Sequence, residues 1–200
     1  MCTLDEYYIL YFDVLGYCNK IYAKEKTFLE DIQNLVLRST EKDWEVTIRI
    51  FSDNVLVCKK CKEPNALRFV CHYAARIQEL MLRNNALLLR GAITKGNLYI
   101  DDKFVYGTGL VDAVKLEESV AKYPRIIIDE KLKGEEYIKH SKHTVLVDAD
   151  KNYYINFLNY YHPAINRKRD RKKNWAALDK SISKCLKELS DGNLAQKKHG

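Results

Sequence analysis

The stretch Glu45–Cys58, "EVTIRIFSDNVLVC", decides the fold because it predicts a β-hairpin that carries a carboxylate at its tip. Residues 46–51 alternate between two faces, as the side chains of a strand do. The short turn Ser52–Asp53 then joins them to a second apolar run, residues 54–58. Two strand-like runs separated by so few residues indicate a tight hairpin.

A second predicted strand ends in the same way. The segment "YYILYFDVLGY" predicts a buried strand over Tyr7–Asp13, followed by a turn at Gly16. A charge at the end of a core strand is costly unless it is paired or binds a metal. In the simplest alternative, Asp13 caps the following helix and Asp53 forms a turn.

Two carboxylates at neighbouring strand ends suit two divalent cations about 4 Å apart. Oxygen ligands favour Mg²⁺ or Mn²⁺, and such ions complete their coordination with water and substrate phosphates. The turn after Asp13 contains Val14 and Gly16, and its backbone N–H groups can face phosphate oxygens at the start of a helix. A nucleoside triphosphate therefore fits this arrangement.

The order of predicted elements indicates an α+β protein with mainly antiparallel strands and helices on one face. Residues 17–38, a segment that opens at Pro64, and residues 107–121 predict helices, whereas residues 86–107 predict strands that turn at Lys95–Gly96. This arrangement leaves the other face of the sheet uncovered. We expect Asp13 and Arg49 on that face, and a homodimer would cover it.

The chain has 200 residues, 46% of them hydrophobic, which is enough for one domain with a substantial core. We expect a domain over residues 1–162, followed by a basic segment and a C-terminal helix over residues 163–200. No apolar run is long enough to span a membrane, and the start lacks the features of a signal peptide, so we expect a cytoplasmic protein without a membrane partner.

Two patterns suggest other functions. Cys58-x-x-Cys61 with Cys71-His72 suggests zinc, but the spacing is not that of a finger, and we favour ordinary reduced cysteines. The net charge is +7, and the run "NRKRDRKKNW" at residues 166–175 can bind nucleic acid. We favour a solvated loop there, and a basic surface also suits an anionic nucleotide.

Taken together, the motifs resemble the class III nucleotide cyclases, the adenylate and guanylate cyclase catalytic domain. "YFDVLGY" and "IRIFSDNVLV" are similar to the two metal-binding motifs, "LRGAITKGNLY" to the strand motif R-x-G-I-x-x-G, and "VYGTGLVDAVKLEE" to the transition-state helix. They follow the family's order over about residues 7 to 129. "FSDN" and "RGAITKG" resemble most closely the bacterial pyrimidine cyclases of Pycsar antiphage systems.

The resemblance implies a ferredoxin-like, palm-type domain that forms a homodimer with two composite sites. Two Mn²⁺ or Mg²⁺ ions would be held by Asp13, Asp53 and the backbone carbonyl of Val14. In the purine cyclases, a lysine and a polar residue that select the base occupy the positions of Arg49 and Phe104. The purine-reading pair is thus absent, which favours another base.

The family's transition-state asparagine and arginine fall on Val111 and Lys115. Valine cannot bond a ribose, whereas Lys115 keeps a positive charge that can reach a phosphate. Asp13 and Asp53 would come from one chain, and Arg49 and Lys115 from the other. Alternatively, Arg49 pairs with a glutamate such as Glu45, and Lys115 is simply a solvated helix residue.

The resemblance implies that the chain converts UTP, or CTP as second choice, to the 3′,5′-cyclic nucleotide and pyrophosphate. The product would activate a membrane-damaging or NAD-consuming effector encoded nearby. Two alternatives remain open: a degenerate cyclase-homology domain that senses a nucleotide or a phage component, and a nucleic-acid-binding protein that uses residues 167–173.

Overall fold

The computed structural model describes residues 4–16, 30, 33–37, 45–158, 176, 179–185 and 187. The strands in this part of the chain are β1 (Asp5–Val14), β2 (Thr47–Phe51), β3 (Asn54–Lys60), β4 (Leu89–Ile100), β5 (Val105–Tyr106), β6 (Ile126–Ile128), β7 (Val145–Val147) and β8 (Tyr153–Ile155). The helices are α1 (Ala66–Asn85), α2 (Thr108–Val120), α3 (Glu136–His140) and a 3₁₀ turn (Glu130–Leu132). Residues 33–37 and 179–185 are also helical.

The strands form one sheet in the order β2-β3-β1-β4-β6-β8-β7, with β5 paired to β4. Every pairing in the described part of the chain is antiparallel except that of β4 with β6. The predicted hairpin is confirmed, because β2 pairs with β3 up to Phe51 opposite Asn54. Ser52 turns the chain with a φ of 60°. The α+β class predicted from the sequence is therefore confirmed.

Helix α1 packs against one face of the sheet through the stripe that its sequence predicts. Leu67, Val70, Ala74, Ile77 and Met81 are all buried. They share a core cluster with the even-numbered side chains of β1. Their three- and four-residue spacing places them on one side of the helix, so burial of this stripe holds α1 on the sheet.

Helix α2 lies on the opposite face, which corrects the expectation that all helices share one face. Its Ala113 is buried with Tyr7 and Ile9, odd-numbered residues of β1, rather than with the even-numbered ones under α1. Successive side chains of a strand point to opposite faces of a sheet. The face expected to be bare is thus partly covered by α2, and Asp13 and Arg49 lie on this same face.

Strand β4 is continuous through Lys95–Gly96, where the sequence predicted a turn. Gly96 is needed for a close approach rather than a turn: a Cβ there would lie 2.6 Å from the Cα of Gly109 in α2. The chain turns later, at residues 101–104, where the Asp101 amide donates to the Phe104 carbonyl at 3.0 Å. A glycine inside a strand can mark either feature, so the sequence alone did not separate them.

Other expectations have different outcomes. Cys58 and Cys71 are buried in separate clusters on opposite faces of the sheet, so they do not share a metal. No helix within the described residues is long and apolar enough to cross a membrane. The expected domain boundary at residue 162, the basic run at residues 166–175 and most of the helix expected over residues 17–38 lie outside the described residues.

We expect Gly96→Ala to lower the free energy of unfolding by about 1–3 kcal/mol, because the added methyl would overlap the backbone of α2. Urea denaturation followed by circular dichroism measures this change. Gly134→Ala is the matched control, since a Cβ there has no atom within 4 Å. Equal unfolding midpoints for the two variants would show that the glycine contact does not constrain α2.

Candidate active site

Asp13 and Asp53 come together at one end of the sheet. Asp13 is paired with Asn54, the residue that follows Asp53. In addition, the amide of Val14 donates to the carbonyl of Asp53 at 3.2 Å. These backbone contacts fix the hairpin tip beside the end of β1, so the two carboxylates are neighbours as their strands predict. The alternative that Asp13 caps a helix concerns residues 17–29, which lie outside the described part of the chain.

The two oxygens of Asp13 have different surroundings. Oδ2 accepts a hydrogen bond from Nη2 of Arg90 at 3.3 Å, whereas Oδ1 is buried and has no hydrogen-bond partner among the described residues. Burial raises the pKa of the Asp13 carboxyl; Arg90 opposes this shift and Asp53 adds to it. A buried acceptor without a partner carries a desolvation cost that a cation can remove.

Arg90 links this end of the sheet to α2. Its Nε pairs with Oε1 of Glu117, a side chain only 6% exposed, while its Nη2 faces Asp13. Burial raises the pKa of Glu117 to about 7; Asp13 adds to the shift, and Arg90 opposes it. The sequence motifs gave no role to Glu117. Asp13 and Glu117, which the Arg90 guanidinium brings together, lie far apart in the sequence, so no local pattern indicates this contact.

Two linked side-chain hydrogen bonds connect Tyr11, Asn54 and Asp53. The side-chain Nδ2 of Asn54 donates to Oδ1 of Asp53 at 3.1 Å. The hydroxyl of Tyr11 donates to Oδ1 of Asn54 at 2.5 Å. Burial raises the pKa of Tyr11 to about 12, and Glu117 and Asp13 add to the shift. The hydroxyl therefore stays protonated at neutral pH. The signal available in the sequence was the two-residue spacing, which places Tyr11 and Asp13 on one face.

Arg49 contacts the turn between β4 and β5 rather than Glu45. Its Nη2 donates to the carbonyl of Asp101 at 2.6 Å and lies 3.6 Å from Oδ1 of Asp102. The Asp101 carboxylate in turn accepts from the amide of Phe104 at 2.7 Å, and the Phe104 side chain is 62% exposed. The two residues expected to contact a base are thus held by the same turn.

Lys115 lies on a face of α2 that points away from Asp13 of its own chain. Residues two apart on a helix are about 200° apart around the axis, so Lys115 and Glu117 face different ways. Val111, four residues before Lys115, is 50% exposed and shares its face. This outward face suits a site completed by another copy of the chain.

The turn after β1 has fewer free donors than the sequence suggests. The amide of Val14 is bonded to Asp53, and that of Leu15 donates to the carbonyl of Leu88 at 2.9 Å. Gly16 reverses the chain with a φ of 79°. The backbone N–H of Val14 is therefore not free to contact a phosphate, whereas that of Gly16 remains a predicted phosphate contact. The carbonyl of Val14 remains a predicted metal ligand.

The donor set fits a metal that relies on few protein ligands. No group of three or more His, Cys, Asp or Glu side chains gathers within the described residues. Mg²⁺ is usually bound by one or two carboxylates and substrate phosphates. Asp13 beside Asp53 meets that requirement, since Oδ1 of Asp13 has no hydrogen-bond partner in the described part of the chain.

The fold is similar to that of solved adenylyl and guanylyl cyclase catalytic domains. The guanylyl cyclase domain of the RhoGC fusion protein from the aquatic fungus Blastocladiella emersonii has a TM-score of 0.59 and 15% identity, over 76% of this chain and 95% of that one. The adenylyl cyclase CyaB from P. aeruginosa has a TM-score of 0.53 and 14% identity, over 78% and 95%. No family model and no curated protein matches the sequence.

The stability of the metal-free protein should depend on Glu117. Because the pKa of Glu117 is about 7 in the fold, above its ordinary 4.5, the folded state binds this proton more tightly than the unfolded state does. The stabilisation is complete below pH 4.5 and is lost as the pH rises to 7. We expect wild type to lose about 2 kcal/mol relative to Glu117→Gln across this range. Urea titrations in EDTA measure the difference, and a difference that is constant or rises with pH would contradict this assignment.

Proposed function

We propose that the chain is a metal-dependent pyrimidine nucleotide cyclase, which converts UTP, or CTP, to the 3′,5′-cyclic nucleotide and pyrophosphate. The observation that carries this proposal is the pair Asp13 and Asp53 at one sheet end, with a buried Oδ1 on Asp13 that has no hydrogen-bond partner among the residues that the structure describes. The pair lies on a fold that the solved cyclase domains share.

In the proposed reaction, the ribose 3′-oxygen attacks the α-phosphorus in line, the bond from that phosphorus to the bridging oxygen breaks, and pyrophosphate leaves. Asp13 and Asp53 would hold the divalent cations, which supply activation of the 3′-hydroxyl and neutralisation of the leaving group. Lys115 would contribute a positive charge toward the phosphates. Gly16 would contact the triphosphate through its backbone.

Two features support a composite site in a homodimer. Lys115 and Val111 face outward from α2, and Arg49 lies under an exposed turn that carries Phe104. Of the similar structures, one guanylyl cyclase domain from the same fungus is described as monomeric and another, with a TM-score of 0.57 and 16% identity, as a non-canonical dimer, so the proposed composite site rests on these two features of the chain itself. We infer that each site combines the aspartates of one chain with Arg49 and Lys115 of the other.

The base preference follows from the residues in the two base-selecting positions. Arg49 has a planar fork of donors that suits a pyrimidine carbonyl, and it would exchange its present bonds to the carbonyls of Asp101 and Ile48 for the base. Phe104 offers a ring that stacks on a base without reading its edge. UTP is the preferred substrate and CTP the second choice. As in the Pycsar systems that the sequence resembles, the product would act on a separate effector in antiphage defence.

A sensor without catalysis is the second candidate, and Val111 is the observation that favours it. The side chain is exposed on the outward face of α2, where the resemblance expects an asparagine, and it cannot hydrogen-bond a ribose. In that case the chain would bind a nucleotide and form no cyclic product.

Product analysis tests the reaction and the base together. The protein, incubated with Mn²⁺ and equal ATP, GTP, CTP and UTP, should yield one cyclic pyrimidine nucleotide by mass spectrometry. Asp53→Asn should lower the yield at least ~100-fold, because it removes a metal-binding charge. The matched control is Asp150→Asn, which removes an exposed carboxylate elsewhere and should change nothing. A cyclic purine would overturn the pyrimidine assignment, and no product from folded protein would favour the sensor.

Mixing two inactive variants tests the composite site. Asp53→Asn and Lys115→Ala should each be inactive alone, but their heterodimer contains one site with both residues intact. Random pairing gives half heterodimers with one of two sites active, so activity should return to about a quarter of wild type. Activity that does not return on mixing, although the subunits exchange, would show that Asp53 and Lys115 act within one chain.

A further inference from the structure

The side chain of Asn54 bridges Tyr11 and Asp53. Its Nδ2 lies 3.1 Å from Oδ1 of Asp53, and its Oδ1 lies 2.5 Å from the hydroxyl of Tyr11. The three residues come from β1, the hairpin turn and β3. The motifs that predicted the site include Asp53 but give no role to the other two.

The donor and acceptor of each of these two hydrogen bonds follow from the chemistry of the groups. An ionised carboxylate only accepts hydrogen bonds, so Asn54 must turn its NH₂ toward Asp53 and its oxygen toward Tyr11. A tyrosine hydroxyl donates to that oxygen. Without the hydroxyl, the amide would keep only its bond to the Asp53 carboxylate, and its oxygen would lose the contact that fixes the amide against β1.

Asp53 needs such support because its backbone, although held by the Val14 amide, does not fix the rotamer of its side chain. It follows Ser52, an exposed residue with a positive φ, at the tip of a two-strand hairpin. A half-buried aspartate at a hairpin tip keeps rotamer freedom that a metal ligand must lose. Tyr11, by contrast, packs against the buried cluster under α2, so its hydroxyl is a fixed reference point.

We propose that Tyr11 and Asn54 are positioning residues that orient the Asp53 carboxylate for a divalent cation, with Tyr11 acting through Asn54. This inference rests on the proposed function, since it concerns the same metal site. Groups that hydrogen-bond to a metal ligand typically change metal affinity 10- to 100-fold when they are removed.

The test is Mn²⁺ binding to the full chain without nucleotide, followed by the electron paramagnetic resonance signal of free Mn²⁺. Tyr11→Phe removes one oxygen atom and should weaken Mn²⁺ binding by about 10-fold at an unchanged melting temperature. Tyr7→Phe is the matched control: it removes a hydroxyl from the same face of β1, about 13 Å along the strand, and should leave binding unchanged.

A double-mutant cycle shows whether Tyr11 acts through Asn54. Asn54→Ala should weaken Mn²⁺ binding, and adding Tyr11→Phe to it should cause no further loss. Additive losses would overturn the relay, because Tyr11 would then act independently of Asn54. Unchanged binding by Tyr11→Phe would overturn the inference as a whole.

The outcome for wild type separates this inference from the proposed function. Wild type that binds Mn²⁺ but makes no cyclic nucleotide would overturn the cyclase reaction, while the two variants would still decide the positioning role. Wild type that makes a cyclic nucleotide but binds no Mn²⁺ without nucleotide would overturn the positioning inference alone. Wild type that neither binds Mn²⁺ nor makes a cyclic nucleotide would overturn the metal site and both proposals with it.

Discussion

Arg90 lies between two carboxylates that the fold removes from water, Asp13 at the end of β1 and Glu117 on α2. A buried carboxylate is tolerated when a cation faces it, and one guanidinium can face two because its donors form a fork. The same contact fixes how α2 is rotated about its own axis, with Glu117 facing this end of the sheet. Once Glu117 points inward to Arg90, Lys115 must point outward, so this ion pair also decides which residues of α2 face solvent.

The rest of α2 is fixed by contacts of a different kind. At its start, Gly109 approaches the backbone of Gly96 so closely that neither position has room for a methyl group. Further along, Asp112 pairs with Lys131 at 3.0 Å, just after β6. Steric contact and ion pairs together hold the helix over β1 and β4.

Sequence periodicity predicted the elements well where a single surface is buried. The stripe of α1 and the alternation in the hairpin each report one face packed on the core, and both are confirmed. Periodicity failed at Lys95–Gly96, since a strand glycine signals a turn and a close helix approach alike. It also failed to place α2, because an apolar stripe says that a helix is buried but not against which face of a sheet.

The sequence by itself determined that one aspartate lies at the end of an apolar strand and another in a tight hairpin turn, because strand ends and a short hairpin are local features. It likewise determined which side chains share a face. The pairing of β1 with β3, which brings the two aspartates together, belongs to the tertiary structure. Only the tertiary structure decided that Arg90 joins Asp13 to Glu117, that Arg49 is held by the turn at Asp101, and that an asparagine bridges to Asp53. Those contacts join residues tens of positions apart, and their partners depend on how strands pair and where a helix docks. No periodicity along one chain records that geometry.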